Sequence, residues 1–149
     1  MEKAVEKELR QKIVDEAATW IGTPFVHEAR VKGAGVDCGN LLIAVYEDLN
    51  LVPRLVIPHY PADFMMHSDR EWFLEIVLQY AYEIPGDPLP GDVTVFRHGR
   101  LYSHGAVVVE WPMLIHASIK DRIVAWGNAS QYPFIDKKKR FFRWNGFKS

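Results

Sequence analysis

The spacing of apolar residues changes at residues 85–88, Pro85-Gly86-Asp87-Pro88. Before this turn, apolar residues recur at three- and four-residue steps, which is typical of amphipathic helices. After it, they fall in short alternating or continuous runs, which is typical of strands. Because helices precede strands instead of alternating with them, we predict an α+β fold in which N-terminal helices pack on a C-terminal antiparallel sheet.

Three helices are predicted before the turn. The first ends at Gly22 and Pro24, and its apolar face contains Val5, Leu9, Ile13, Ala17 and Trp20. The second follows Asp37, a favourable N-cap residue, and its apolar face contains Leu41, Leu42, Val45, Tyr46 and Leu49. The third begins after the capping-box pair Ser68 and Glu71, and its predicted buried face contains Trp72, Phe73, Ile76, Val77 and Tyr80.

Five strands are predicted after the turn, over residues 93–96, 105–109, 113–117, 123–126 and 141–144. The second and third are close enough in sequence to form a hairpin around Trp111-Pro112. A chain of 149 residues is about the length of one domain, and such a fold buries roughly two thirds of the surface of its unfolded chain. We therefore predict a single domain over residues 1–149.

Charge and cysteine content narrow the classes of function. The chain has 18 Lys and Arg against 19 Asp and Glu, a net charge of −1, so no overall field attracts it to nucleic acid or to an anionic membrane. The basic run 137–140 could contact an anionic polymer, but a turn that leads into an edge strand is the simpler interpretation. Cys38 is the single cysteine, which excludes an internal disulfide and indicates a free thiol.

The first residues, Met1 to Lys7, are charged and lack the apolar core of a signal peptide. No apolar run approaches the length of a membrane span. We therefore expect synthesis in the cytoplasm and no membrane partner. A substrate outside the cell would then require another delivery route, or an original signal that was trimmed from this sequence.

Cys38 is the strongest candidate for a reactive group. It falls in the first turn of the second predicted helix, after the glycine-containing loop 23–36. Unpaired N–H groups and the positive end of the helix dipole favour thiolate over thiol at such a position. Thiolate attacks carbonyl carbon, so we predict a thiol hydrolase in which Cys38 is alkylated rapidly at a pH well below about 8.5.

Two histidines in the predicted hairpin complete a candidate catalytic group. A turn centred near Glu110 places His104 and His116 directly opposite each other, whereas a turn half a step later places His116 opposite Val107 and makes the contact diagonal. In the first register one imidazole can hydrogen-bond the other. His104 would then act as general base for Cys38, His116 would orient it, and N–H groups at the helix start would bind the oxyanion.

Each of these residues also has a structural interpretation. A lone cysteine is most often a small buried hydrophobic side chain, and a histidine in a strand usually serves the core. The two histidines could also bind a metal ion, but no His-x-x-x-His spacing and no third ligand accompany them. We therefore expect no metal and no cofactor, and the spacing between His104 and His116 carries most of the catalytic interpretation.

Several motifs, in order along the chain, resemble the NlpC family of cell-wall peptidases, in particular the compact branch found in phage and phage-like tail gene clusters. They cover most of residues 20–117. They are Trp20, Gly22-Thr23-Pro24-Phe25, the segment Val31 to Cys38, Leu89-Pro90-Gly91-Asp92-Val93, His104-Gly105-Ala106 and Ile115-His116-Ala117.

The resemblance implies a papain-like fold and cleavage of peptidoglycan stem peptides, typically between γ-D-glutamate and a diamino acid. It assigns Cys38 as nucleophile, His104 as base and His116 as third polar residue, while Asp37 matches an aspartate that helps to hold the substrate amine. Many relatives have Tyr at the position of Phe25 and Ser at that of Gly39, and both shape the amine pocket. Arg30, with Lys32 beside it, could bind stem carboxylates, although solvated charge is the simpler interpretation.

These observations predict a cysteine peptidase that acts on peptidoglycan stems, as a phage or prophage tail component carried to the wall of the next cell. Tail proteins would be its expected partners. The sequence leaves two alternatives open. One is an amidase or cross-bridge endopeptidase of the CHAP type, and the other is a catalytically silent structural protein of the tail.

Overall fold

A computed structural model describes residues 1–59 and 70–148. The helices in these residues are α1 (Lys3–Ala18), α2 (Cys38–Asp48) and α3 (Trp72–Tyr80). The strands are β1 (Arg30–Val31), β2 (Gly35–Val36), β3 (Ala81–Ile84), β4 (Val93–His98), β5 (Leu101–Glu110), β6 (Met113–Ser118), β7 (Ile123–Asn128) and β8 (Lys139–Trp144). Ser68 of the predicted capping box lies outside the described residues.

Six strands form one antiparallel sheet in the order β3-β8-β4-β5-β6-β7, while β1 and β2 pair separately. The predicted α+β arrangement of N-terminal helices and a C-terminal antiparallel sheet is therefore confirmed. The expectation for the basic run 137–140 is wrong in one respect. It leads into β8, which lies inside the sheet between β3 and β4, because β3 follows α3 directly and covers the outer edge of β8.

An ionic network joins α1 to the sheet through the Leu89–Val93 motif. The Asp92 carboxylate is fully buried, and it accepts hydrogen bonds from Arg10 Nη1 at 2.9 Å and from Arg143 Nη2 at 2.8 Å. Gly91 has a φ of +83°, and a Cβ there would lie 3.3 Å from the Arg10 carbonyl oxygen. Glycine and aspartate at these positions therefore let the helix approach the sheet closely.

The sheet separates two apolar clusters. The larger one contains α1 and α2 packed on alternate residues of the strands, such as Val95 and Val107. The smaller one lies on the other face and contains Phe96, Leu114 and Phe134. Gly105 faces the helices, since a Cβ there would lie 2.5 Å from Leu42 Cδ1. Strand alternation then turns the side chain of His104 toward the smaller cluster.

The helix α3 differs from its predicted pattern. Leu74, which was not part of the predicted face, is 4% exposed, whereas Trp72 is 41% exposed. The predicted residues Phe73 and Val77 are only partly buried, because this face of α3 lines an open groove and does not pack tightly on α2. Within the described ranges 1–59 and 70–148, none of the helices has the length and apolar character needed to cross a bilayer.

Candidate active site

Cys38 is the first residue of α2, and Asp37 is the N-cap. The Asp37 carboxylate is 3% exposed, and it accepts hydrogen bonds from the Asn40 N–H at 2.9 Å and from the Glu28 N–H at 2.8 Å. The predicted cap is therefore present, and it also holds loop 23–36 against the start of α2. Asp37 is therefore bonded both to the loop before Cys38 and to the helix after it, and these two bonds fix the position of the thiol.

The Cys38 sulfur lies against the main chain of β5. Its thiol donates to the Ser103 carbonyl oxygen at 3.5 Å, and the Gly105 N–H also hydrogen-bonds the sulfur. Ser103 and Gly105 are the residues directly before and after His104. The fold thus brings the sulfur to the main chain on either side of the predicted base, 66 residues away in sequence. The ring of His104 packs against Phe134, and within the described residues no hydrogen bond joins it to the sulfur.

The resting thiol is protonated, contrary to the thiolate predicted from its place at a helix start. Burial raises the pKa of Cys38 to about 12, and the negative charge of Asp37 adds to this increase. The N–H groups of Gly105, Gly39 and Cys38 lower the pKa but do not compensate. The helix terminus does supply favourable donors, but dehydration of the sulfur and the capping carboxylate outweigh them.

His104 and His116 form the predicted hydrogen bond. His104 Nε2 lies 2.9 Å from His116 Nδ1, and both residues are 6% exposed. The register differs from both of the predicted ones, since Val107 pairs with Ile115. Continued along the strands, this register places His116 beside Ala106, so its contact with His104 is diagonal, on the same face of the sheet.

Both imidazoles are neutral near pH 7. Burial lowers the pKa of His104 well below its ordinary value, and positive charge on His116, His98 or Lys137 would lower it further. Burial also lowers the pKa of His116 to about 4, although Asp121 acts in the opposite direction. His104 is therefore in the state that a general base requires, with one ring nitrogen free to accept a proton.

Phe134 is a member of the site that the sequence did not indicate. Its ring stacks on His104 with centroids 6.1 Å apart and meets His116 edge-on at 4.9 Å, while Phe134 itself is 4% exposed. It lies in the connection between β7 and β8, and no local pattern distinguishes it from other apolar loop residues. Only the folded chain brings it to the histidine pair, where it limits movement of both rings.

The residues predicted to bind substrate have partners within the chain. Arg30 Nη1 lies 3.0 Å from Glu47 Oε2, and its other terminal nitrogen donates to the Leu55 carbonyl oxygen, so its charge is not simply solvated. Phe25 is partly buried, and its N–H donates to the Arg122 carbonyl oxygen. Roles in substrate binding for these residues and for Asp37 stay predictions.

In the part of the chain that the structure describes, no group of three or more His, Cys, Asp and Glu side chains has an arrangement that could hold a metal ion. His104 and His116 instead use facing ring nitrogens for the bond between them. The chemistry available at this position is therefore that of a thiol, a neutral imidazole and main-chain N–H donors.

No protein-family model matches the chain, and no curated protein does. Several solved structures do match it. NlpC2 from Trichomonas vaginalis aligns over 90% of this chain and 46% of its own, with 20% identity and a TM-score of 0.61. The NlpC/p60 domain of the peptidoglycan hydrolase SagA aligns over 88% of this chain and 96% of its own, with 20% identity and a TM-score of 0.58.

A third structure, the peptidoglycan hydrolase RipB from Mycobacterium tuberculosis, aligns over 96% of this chain and 68% of its own, with 13% identity and a TM-score of 0.64. This chain spans less than half of the Trichomonas vaginalis protein and nearly all of the SagA domain. The low identities restrict the likeness to the fold. The chain has the papain-like fold of NlpC/P60 domains, as its sequence predicted.

Proposed function

We propose that the protein is a cysteine peptidase of the NlpC type that hydrolyses peptidoglycan stem peptides between γ-D-glutamate and the diamino acid. The observation that carries the proposal is the 2.9 Å hydrogen bond between His104 and His116. His104 lies on β5, and the main chain of β5 contacts the Cys38 sulfur. It is further supported by the fold, which is shared with SagA and RipB, both described as peptidoglycan hydrolases.

In the first step, Cys38 attacks the scissile carbonyl carbon while its proton moves to His104. For this transfer, His104 Nε2 carries a hydrogen that it donates to His116 Nδ1, which leaves His104 Nδ1 free to accept. Because the pKa of the thiol is raised and that of the imidazole is lowered, attack and proton transfer occur together and no ion pair forms beforehand. Main-chain N–H groups at the start of α2 stabilise the oxyanion.

In the second step, His104 donates the proton to the leaving amine, the C–N bond breaks, and the acyl group remains on Cys38 as a thioester. Water then attacks the thioester and gives a proton to His104, which returns it to the departing thiolate. His116 is neutral and buried, so it stabilises positive charge less than a carboxylate would. Its contribution is to hold the ring of His104 in one orientation.

The test is digestion of purified sacculi, followed by mass measurement of the released muropeptides, with Cys38→Ala as the inactive control. We expect glycan-linked dipeptides and free peptides that begin with the diamino acid. Whole stems released from the glycan would instead indicate an amidase, and opened cross-bridges would indicate a cross-bridge endopeptidase. Intact sacculi with the wild-type protein would favour a silent structural role.

We also propose that the protein acts at the cell wall as a component of a phage or prophage tail. This proposal is supported by the resemblance of residues 20–117 to the tail-associated branch. Mass spectrometry of purified tail particles from the source strain tests it, because a tail component remains with the particles through density-gradient separation. A protein recovered only in the soluble fraction would contradict it.

A further inference from the structure

An apolar groove lies between α2 and α3 on the helix-bearing side of the sheet. It has a volume of about 90 Å³, and its walls include Leu42 and Tyr46 of α2 and Phe73 and Val77 of α3. Within the described residues, none of the side chains that line it is charged. The groove is the reason why the inner face of α3 is only partly buried.

The polar atoms of two large lining side chains are turned away from the groove. The Tyr46 hydroxyl donates to the Gly91 carbonyl oxygen, and Trp144 Nε1 donates to the Leu51 carbonyl oxygen at 3.0 Å. The exposed lining is almost wholly apolar as a result. Such a space holds water poorly and excludes charged groups, because neither finds hydrogen-bond partners there.

One end of the groove lies beside the residue that follows the nucleophile. Gly39, which directly follows Cys38, forms part of the lining. A Cβ on Gly39 would lie 3.3 Å from the ring of Phe73, and a Cβ on Gly105 would lie 2.7 Å from the same ring. The groove therefore ends beside the candidate active site, because the Phe73 ring that lines it also packs against Gly105, whose N–H hydrogen-bonds the Cys38 sulfur.

We propose that this groove binds the aliphatic part of an acyl group whose carbonyl carbon Cys38 attacks, and that the protein therefore hydrolyses short-chain acyl esters as well. The inference rests on the proposed function only in taking Cys38 and His104 as nucleophile and base. An apolar cavity of about 150 Å³ binds benzene, so a volume of about 90 Å³ corresponds by proportion to roughly four carbons.

The chemistry balances with water as the only co-reactant. The Cys38 thiol adds to the ester carbonyl while its proton moves to His104, and the C–O bond then breaks as the leaving alcohol takes that proton. The acyl group is now a thioester with its chain in the groove. Water attacks the thioester, the C–S bond breaks, and the carboxylic acid leaves as the thiol is restored.

The experiment measures kcat/KM for p-nitrophenyl esters with acetyl, butyryl, hexanoyl and decanoyl groups. We expect the value to rise about fourfold for each methylene that enters the groove, to be highest at butyryl or hexanoyl, and to fall at decanoyl. Cys38→Ala should hydrolyse none of the four beyond the buffer rate. Equal rates for acetyl and hexanoyl esters would overturn the inference.

Variants at Val77 test the groove directly. Val77→Phe fills it and should shift the preference to the acetyl ester, whereas Val77→Ala enlarges it and should shift the preference to longer chains. The matched control is Leu78→Phe, on the same helix but 49% exposed and not part of the lining, and it should keep the wild-type profile. If Val77→Phe does not fold, an unshifted profile in Val77→Ala overturns the inference.

Sacculus digestion with the same protein preparation separates this inference from the proposed function. If the protein digests sacculi but shows no preference among the esters, the acyl-binding inference is overturned and the peptidase proposal stands. The expected ester profile, its shift in the Val77 variants and intact sacculi would support the groove and contradict the peptidoglycan substrate.

Discussion

His104 Nε2 lies 2.9 Å from His116 Nδ1, and Phe134 packs against both rings. The pKa of each imidazole is lowered by burial, so the hydrogen bond joins two neutral groups near pH 7. A neutral acceptor fixes the orientation of its partner more than it stabilises charge on it. This relationship determines what substitutions at His116 should do.

Replacing His116 should reveal this orienting role. We expect His116→Asn to keep much of the wild-type kcat/KM on peptidoglycan fragments, because an amide oxygen can still accept from His104. His116→Leu removes the acceptor and should lower kcat/KM clearly. His104→Ala removes the base and should lower it by about 10²–10⁴-fold. Steady-state kinetics on the three purified variants provide the measurement.

Circular dichroism of the same variants is the control, because His116→Leu must retain the wild-type fold for the comparison to hold. Equal kcat/KM values for the Leu and Asn variants would contradict an orienting hydrogen bond. In that case the ring of His104 would be held by Phe134 and its other neighbours alone.

Alkylation of Cys38 by iodoacetamide should be slow at neutral pH and should rise only in strongly alkaline solution. The reason is that burial and Asp37 raise the pKa of the thiol to about 12, and only thiolate reacts. The structure thus reverses the fast labelling predicted from the helix start. The measurement is the labelling rate as a function of pH, followed by mass spectrometry.

Asp37→Asn is the variant for this measurement, since asparagine caps helices as well as aspartate does, although its amide gives up the hydrogen bond from the Glu28 N–H. It removes the negative charge next to the thiol, so its labelling profile should shift to lower pH than that of the wild type. A profile centred near pH 8.5 in the wild type would show an ordinary thiol and would contradict the raised pKa.

The stability of the folded protein should decrease as the pH falls below about 6.5. His116 titrates near 6.5 when unfolded but at about 4 when folded, so between these values the unfolded chain binds more protons. The stabilisation is therefore complete above about 6.5 and is lost progressively toward about 4, by about 3 kcal/mol in all. His104, whose pKa is also lowered, acts in the same direction.

Urea unfolding at pH 7 and pH 5 measures this effect as a change in the free energy of unfolding. The variant His116→Asn cannot titrate at this position and should lose less stability between the two pH values than the wild type. An identical loss in both proteins would show that other groups cause the pH dependence.

Asp92→Asn should destabilise the protein by about 3–5 kcal/mol, because it leaves the buried Arg10 and the partly buried Arg143 without their shared carboxylate. Glu83→Gln breaks the exposed ion pair with Arg140 and should cost less than about 1 kcal/mol. Urea denaturation of the two variants compares them. Similar costs would mean that the buried network contributes no more than a surface pair.

The sequence alone was sufficient for the features that depend on local spacing. The helical step before residue 85 and the strand pattern after it specified the α+β fold, since each pattern buries its apolar residues in only one kind of element. Asp37 at a helix start predicted the cap that the structure contains. The short distance between His104 and His116 along a hairpin predicted their contact, although not its register.

Tertiary structure decided the properties that arise from distant segments. The pKa of Cys38 is raised by burial and by the charge of Asp37, and a helix start does not encode how far the folded chain buries the thiol. The same is true of Phe134 at the histidine pair and of the groove between α2 and α3. The burial of a side chain and the charges around it depend on the assembled core. The fold could therefore be predicted from the sequence, whereas the protonation state of the Cys38 thiol could not.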